Sequence, residues 1–133
     1  MNTLQATISG IASSGHISSI RVSVGSDEFY LLLAEHTDDL MFNHPVTLAF
    51  KETEVILAKG VVASSANVQG ASVKMIEKGD ILSQITLTYH DTVIKALIPT
   101  LTFEALDIRE GDDVHWIVQP SEISLLRSSS HGI

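Results

Sequence analysis

Two short segments break the apolar alternation of this sequence at matching places. Lys51-Glu52-Thr53 follows "VTLAF", and Gln119-Pro120-Ser121 follows "VHWIV". Around them lies a set of small hydroxyl and amide residues. Thr37, Lys51 and Thr53 stand in the first half, Ser64, Ser65 and Asn67 at the junction, and Thr102, Gln119 and Ser121 in the second half. A lone Ser or Thr in a turn ordinarily satisfies its own backbone. Recurrence at equivalent places sets this group apart. Hydroxyls, amides and exposed backbone N–H groups together form a cage for a tetrahedral oxyanion, whose oxygens each accept several hydrogen bonds. Lys51 would add a positive charge.

Other chemistries find no footing. There is no cysteine, so thiolate metal sites, Cys nucleophiles and disulfides are excluded. No G-x-S-x-G elbow occurs, so no catalytic residue is assigned and the chain is not expected to be an enzyme. The histidines, His16, His36, His44, His90, His115 and His131, show no i, i+4 pairing and no H-E-x-x-H context. They read as turn and surface residues, with His115 on the outer face of its strand, and no directly coordinated metal is expected. "GVVASSANVQG" lacks the G-K-[ST] of a phosphate loop, and "EGDDV" lacks the alternating acids of a calcium loop. It reads as a solvated hairpin turn.

The elements that must hold these residues are strands. Val46, Leu48 and Phe50, then Ile85, Leu87 and Tyr89, then Val114, Trp116 and Val118 each alternate with polar neighbours, the period of a half-buried strand. Turns are predicted at 24–28, 43–45, 77–80 and 110–113. Short helical pieces are predicted over 100–108 and, in the first half, 35–42. The chain has 133 residues, 44% of them apolar and 18% charged, with a net charge of −8. That is a globular composition. With no basic cluster and 5% aromatics, neither nucleic acid nor an anionic membrane is an expected partner. No signal peptide or membrane-length apolar run is visible, so a cytoplasmic location is expected.

The sequence also repeats itself. "NTLQATISGI" from Asn2 aligns with "NVQGASVKMI" from Asn67 at an offset of 65, and "VTLAFKETEVILAK" aligns with "VHWIVQPSEISLLR" at an offset of 68. The second copy therefore carries a longer turn in mid-unit. Two units are expected, residues 1–62 and 63–133. A 65-residue unit with about five short strands suggests a small closed barrel of the oligonucleotide/oligosaccharide-binding (OB) kind. The small-residue join at 58–70 predicts close packing of the units, and the tail "RSSSHGI" a frayed end.

"IPTLTFEALDIREGDDVHWIVQPSEISLL", residues 98–126, resembles the molybdate-binding Mop or TOBE domain. Ile98 opens that family's turn and Thr102 takes the place of its Ser. "LDIREGDDV" follows at the family's spacing, and Gln119, Pro120 and Ser121 occupy the K-A-[ST] positions. The first half keeps Thr37 at the turn and has Lys51 and Thr53 where K and [ST] belong. "SSAN" keeps Ser64 and Asn67 of S-A-R-N, with Ala66 in place of Arg. The resemblance implies an all-β chain of two tandem OB-fold-like, five-stranded Mop/TOBE barrels, each with a short helical turn. It implies a molybdate or tungstate oxyanion as ligand, bound at unit or subunit interfaces for storage, homeostasis or sensing. It further implies a homo-oligomer, a trimer of tandem chains, as in the molbindins. The alternative is a ligand-free TOBE-like interaction module associated with a transporter or regulator. Gln119 and Pro120 remove an ammonium and a backbone N–H from the second-unit site.

Overall fold

A computed structural model of the chain describes residues 1–35, 37–60 and 67–127. In the first half, β1 (Asn2–Ser14), β2 (Ile17–Val24), β3 (Asp27–Leu33), β4 (Pro45–Phe50) and β5 (Ile56–Ala58) follow in order. The second half runs β6 (Val68–Lys78), β7 (Leu82–Tyr89), β8 (Thr92–Pro99), helix α1 (Thr100–Leu106), β9 (Asp113–Ile117) and β10 (Ser124–Leu126). A 3₁₀ turn precedes each last strand, Glu52–Glu54 before β5 and Pro120–Glu122 before β10.

The strands form two five-stranded sheets, β10-β4-β1-β2-β3 and β5-β9-β6-β7-β8. Each curls into a small barrel of the OB kind, and the two have the same order once the halves are superposed. The last strand of each half, however, lies in the other half's sheet. Leu125 of β10 pairs with Leu48 of β4, while Leu57 of β5 pairs with Trp116 of β9. The expected alternation holds: Val46, Leu48, Phe50, Ile85, Leu87, Tyr89, Val114, Trp116 and Val118 are all buried.

Register bears the duplication down to single residues. Thr7 pairs with Ser23 and Ser72 with Thr88, the same pair shifted by 65. The ladder slips between Ile8 and Gly10 in β1 and between Val73 and Met75 in β6. These are the same β-bulge twice, each bending a long strand so that it can serve a closed sheet. The extra residues of the second copy fall between β8 and β9, where α1 fits. In the first half the helical piece expected at 35–42 is replaced, among the described residues, by separate turns, Leu40 N–H to Thr37 O at 3.0 Å and His44 N–H to Met41 O at 3.2 Å. α1 ends at Asp107 in the left-handed region (φ 51), and Gly111 (φ 91) makes the turn into β9, a conformation that glycine adopts without steric penalty.

One apolar core serves both barrels. At its centre Trp116 stacks on Phe50 (ring centroids 5.7 Å apart, planes 20° apart) and meets Tyr89 edge-on at 5.1 Å and Phe29 at 5.7 Å. Phe29 and Phe50 come from the first half, Tyr89 and Trp116 from the second, so neither half has a complete aromatic core alone. The Tyr89 hydroxyl donates to Asp27 Oδ2 at 2.7 Å, and His90 Nε2 lies 2.9 Å from the same oxygen. These contacts tie the β7–β8 turn to the start of β3. Burial, then the hydrogen bond to Asp27, pushes the Tyr89 phenol well above its ordinary value of 10.0. The folded state thus favours the neutral phenol. Its contribution is complete below pH 10, where the unfolded chain begins to ionise, and is lost as pH rises beyond that. Tyr89→Phe is expected to lose about 1 kcal/mol at neutral pH and to show a shallower fall in stability above pH 10 than the parent. Urea unfolding at stepped pH values checks both.

Candidate oxyanion site

The two breaks noted in the sequence are the places where the chain crosses between sheets. Lys51 leaves β4 with extended backbone (φ −77, ψ 151), and Glu54 N–H then closes a 3₁₀ turn on Lys51 O at 3.0 Å. Gln119 leaves β9 in nearly the same conformation (φ −65, ψ 143), and Glu122 N–H closes on Gln119 O at 2.9 Å. Pro120 fits at the first position of its turn, where a fixed φ is suitable and an N–H is not required within the turn. The first turn packs against β8 and the second against β3.

Because the crossings are reciprocal, β10 lies beside β4 and brings the second turn to the first. Lys51 and Ser121 line one cleft of about 220 Å³ with Met1, Ala49, Phe50, Glu54, Glu122 and Ser124. Lys51 is exposed, and its ammonium has no ion-pair partner among the described residues. Thr53 and Gln119 sit exposed on the same two turns. Glu54 and Glu122 add carboxylates to the wall. Glu52 bonds to the N-terminal ammonium, which holds its carboxyl below the ordinary range.

Thr37 lies in a different cleft, at the corner between β3 and β4. Ser13, Gly15, His16, Ser18, Ala34, Glu35 and Asp38 line it with Thr37, around a volume of about 340 Å³. Ser13 and Ser18 hydroxyls are 2.8 Å apart, and Ser18 and Thr37 hydroxyls 3.4 Å apart. Arg127, just past β10, reaches into this corner with Nε 2.6 Å from Asp39 Oδ2 and Nη1 3.3 Å from Glu35 Oε1. Its hydrogen bond holds the Asp39 carboxyl below the ordinary value. Lys59, the residue aligned with Arg127, makes the matching reach into the other corner, Nζ to Asp107 O at 2.8 Å.

Asn67 is buried, with left-handed backbone (φ 65). Its Nδ2 donates to Tyr30 O (2.8 Å) and Val118 O (3.0 Å), and its Oδ1 accepts from Tyr30 N–H (2.7 Å). Both amide hydrogens are therefore spent within the protein. The side chain stands in for a peptide group on the outer edge of β3 and fixes Val118, the residue before the second crossing turn. Asn2 repeats the device on β8, donating to Lys95 O at 2.8 Å and accepting from Lys95 N–H at 2.9 Å. Thr102 is exposed on α1 and lines neither cleft. Ser64, Ser65, His36, His131, the middle of the join and the last six residues lie outside the described residues.

Sequence reasoning passes over Ser18, Ser83 and Thr100. Ser18 and Ser83 are buried at the start of equivalent strands, and the 65-residue offset is the signal that pairs them. His115 is half-buried, with Nδ1 covered and unpartnered among the described residues. Among those residues no three His, Cys, Asp or Glu side chains converge to hold a metal, and no helix is long and apolar enough to cross a membrane.

No family model matches the chain, and no curated protein does. A solved structure does. It is a crystal structure of the cytoplasmic molybdate-binding protein ModG with molybdate bound, 19% identical, with a TM-score of 0.88 over 96% of this chain and 96% of that one. The chain has the ModG fold. At that identity the likeness to ModG speaks for the backbone path, and the chemistry must be argued from the residues present here.

Among the candidate site residues described, Asn67 is the most heavily hydrogen-bonded within the protein. Asn67→Ala removes three hydrogen bonds, those to Tyr30 N–H, Tyr30 O and Val118 O, and strands the buried Val118 carbonyl, which by itself costs about 1–3 kcal/mol. A loss of about 3 kcal/mol in urea unfolding is expected, whereas a loss under about 0.5 kcal/mol would rule out the clamp.

Proposed function

We propose that this chain binds molybdate or tungstate, as the intact tetrahedral oxyanion, and carries out no bond-making chemistry. The reading rests chiefly on the meeting of Lys51 and Ser121 in one cleft, since strand exchange gathers the only unpaired ammonium of the crossing turns and a hydroxyl from the other half. Thr53 and Gln119 flank them, and Thr37 with its neighbouring hydroxyls forms a second place for an anion at the first-half corner. Asn67 acts as a positioning residue for the Gln119–Ser121 turn. The molybdate bound by ModG supports the same ligand here.

Such sites are built mainly from neutral donors. Oriented dipoles in a partly dry cleft bind an anion strongly even in a protein of negative charge. The ligand sites lie where units or subunits meet, in a homo-oligomer for which a trimer of tandem chains is our favoured form. The role is storage, homeostasis or sensing in the cytoplasm. Glu54 and Glu122 in the wall of the Lys51 cleft favour one rival, a ligand-free TOBE-like module that docks on a transporter or regulator. Two carboxylates beside a bound dianion must be offset by donors from elsewhere in the assembly.

Calorimetry with molybdate, tungstate and sulfate separates the two readings. Saturable heat with molybdate and tungstate supports oxyanion binding, and heats equal to dilution into buffer contradict it. Lys51→Ala is expected to weaken binding tenfold or more, because a hydrogen bond to a charged group is worth about 1.5–3 kcal/mol. Unchanged affinity would remove Lys51 from the site.

A further inference from the structure

The two corners of the molecule are related by the repeat, yet their hydroxyl groups are wired differently. A hydroxyl carries one proton to donate. At the first-half corner Ser13, Ser18 and Thr37 hold three hydroxyl protons and share two contacts, one of 2.8 Å and one of 3.4 Å. The longer is at the limit of a hydrogen bond. No other partner takes a proton from these groups among the described residues. At least one O–H is therefore available to the cleft that Thr37 and Ser18 line.

The second-half corner has no such surplus. Thr100 Oγ1 donates to Gly79 O at 2.8 Å, and Ser83 Oγ lies 2.8 Å from Thr100 Oγ1. With the Thr100 proton spent on the carbonyl, the Ser83 proton must point to Thr100. Both hydroxyls are closed off, Ser83 fully and Thr100 at 5% exposure. Gly79 keeps the cluster tight, since a Cβ there would collide with the Leu82 carbonyl. Lys78 stands where the first half has Ser13, and its ammonium is paired with Glu104 at 3.0 Å. Outside the cluster, beside that ion pair, Ile81 is 79% and Leu101 82% exposed.

We infer that the two corners are not equivalent sites. The first-half corner, through Ser13, Ser18 and Thr37, binds the tetrahedral oxyanion, and the second-half corner is a closed structural cluster that binds none. This rests on the molybdate reading above and adds to it which of the two corners is active. Oxyanion binding needs an unspent donor, and of the two hydroxyl clusters only that of the first-half corner has one. Of the two carboxylates in its wall, Glu35 is paired with Arg127 and Asp38 remains.

Native mass spectrometry of the full chain with molybdate, counting anions per assembly, tests it. Thr37→Val is expected to lower the count by about one per chain, and Thr37→Ser, which restores the hydroxyl, to recover it. Ser83→Ala removes a hydroxyl but leaves the Thr100–Gly79 bond, and is expected to match the parent count. Thr100→Ser, which preserves the cluster, serves as a second variant if Ser83→Ala fails to fold, and the same parent count is expected. A full count in Thr37→Val, or a reduced count in Ser83→Ala or Thr100→Ser with the assembly intact, overturns the inference while leaving molybdate binding in place. A parent protein that takes up no molybdate overturns the underlying reading and this inference with it.

Discussion

Each half of this chain gives its last strand to the other half's sheet, and most of what is distinctive about the molecule follows from that exchange. β5 and β10 are three residues long, too short to specify a partner by themselves. They are placed by the 3₁₀ turns before them and by the shared core, in which Phe29 and Phe50 pack on Tyr89 and Trp116. Asn2 and Asn67 then fasten each sheet to the outermost long strand of the other. These are side-chain amides used as single rungs of a ladder. They satisfy backbone groups on a sheet edge that would otherwise be a template for association. The cross-links are distant in sequence and join the two halves directly.

The same exchange makes the clefts. A crossing turn from each half ends up beside the other, and Lys51 faces Ser121 across residues of both. Arg127 and Lys59, one residue or so past the exchanged strands, reach into opposite corners. The acidic envelope is managed locally. Arg127 offsets Glu35 and Asp39 at the corner that carries Thr37, leaving Asp38 as a carboxylate of that wall. Electrostatic interactions between exposed charges are screened within about 8–10 Å at physiological salt, so these neighbours matter more to a bound anion than the net charge of −8.

Much of the fold is legible in the sequence because strands with one buried face carry a period of two. Val46, Leu48 and Phe50 and their counterparts declare themselves in this way, and the offsets of 65 and 68 reappear as shared register and a shared bulge. Strand exchange is not legible. A three-residue strand such as Ser124–Leu126 looks the same whichever sheet receives it, and its partner depends on contacts many residues away. The candidate site divides along the same line. Lys51 and Ser121 stand out because they break an apolar alternation. Ser18, Ser83 and Thr100 do not, since a hydroxyl at a strand start or helix start is common and only its neighbours reveal its use. Asn67 is visible as a residue of interest, but its side chain proves to be spent on backbone groups, which only the geometry can show.

The central claim is that an oxyanion sits where the exchanged turns meet. Crystals grown with tungstate, measured with X-rays at the tungsten edge, locate each bound anion directly. The account predicts an anomalous peak in the cleft within hydrogen-bond distance of Lys51 Nζ or Ser121 Oγ. Saturating tungstate with no peak in that cleft would contradict it.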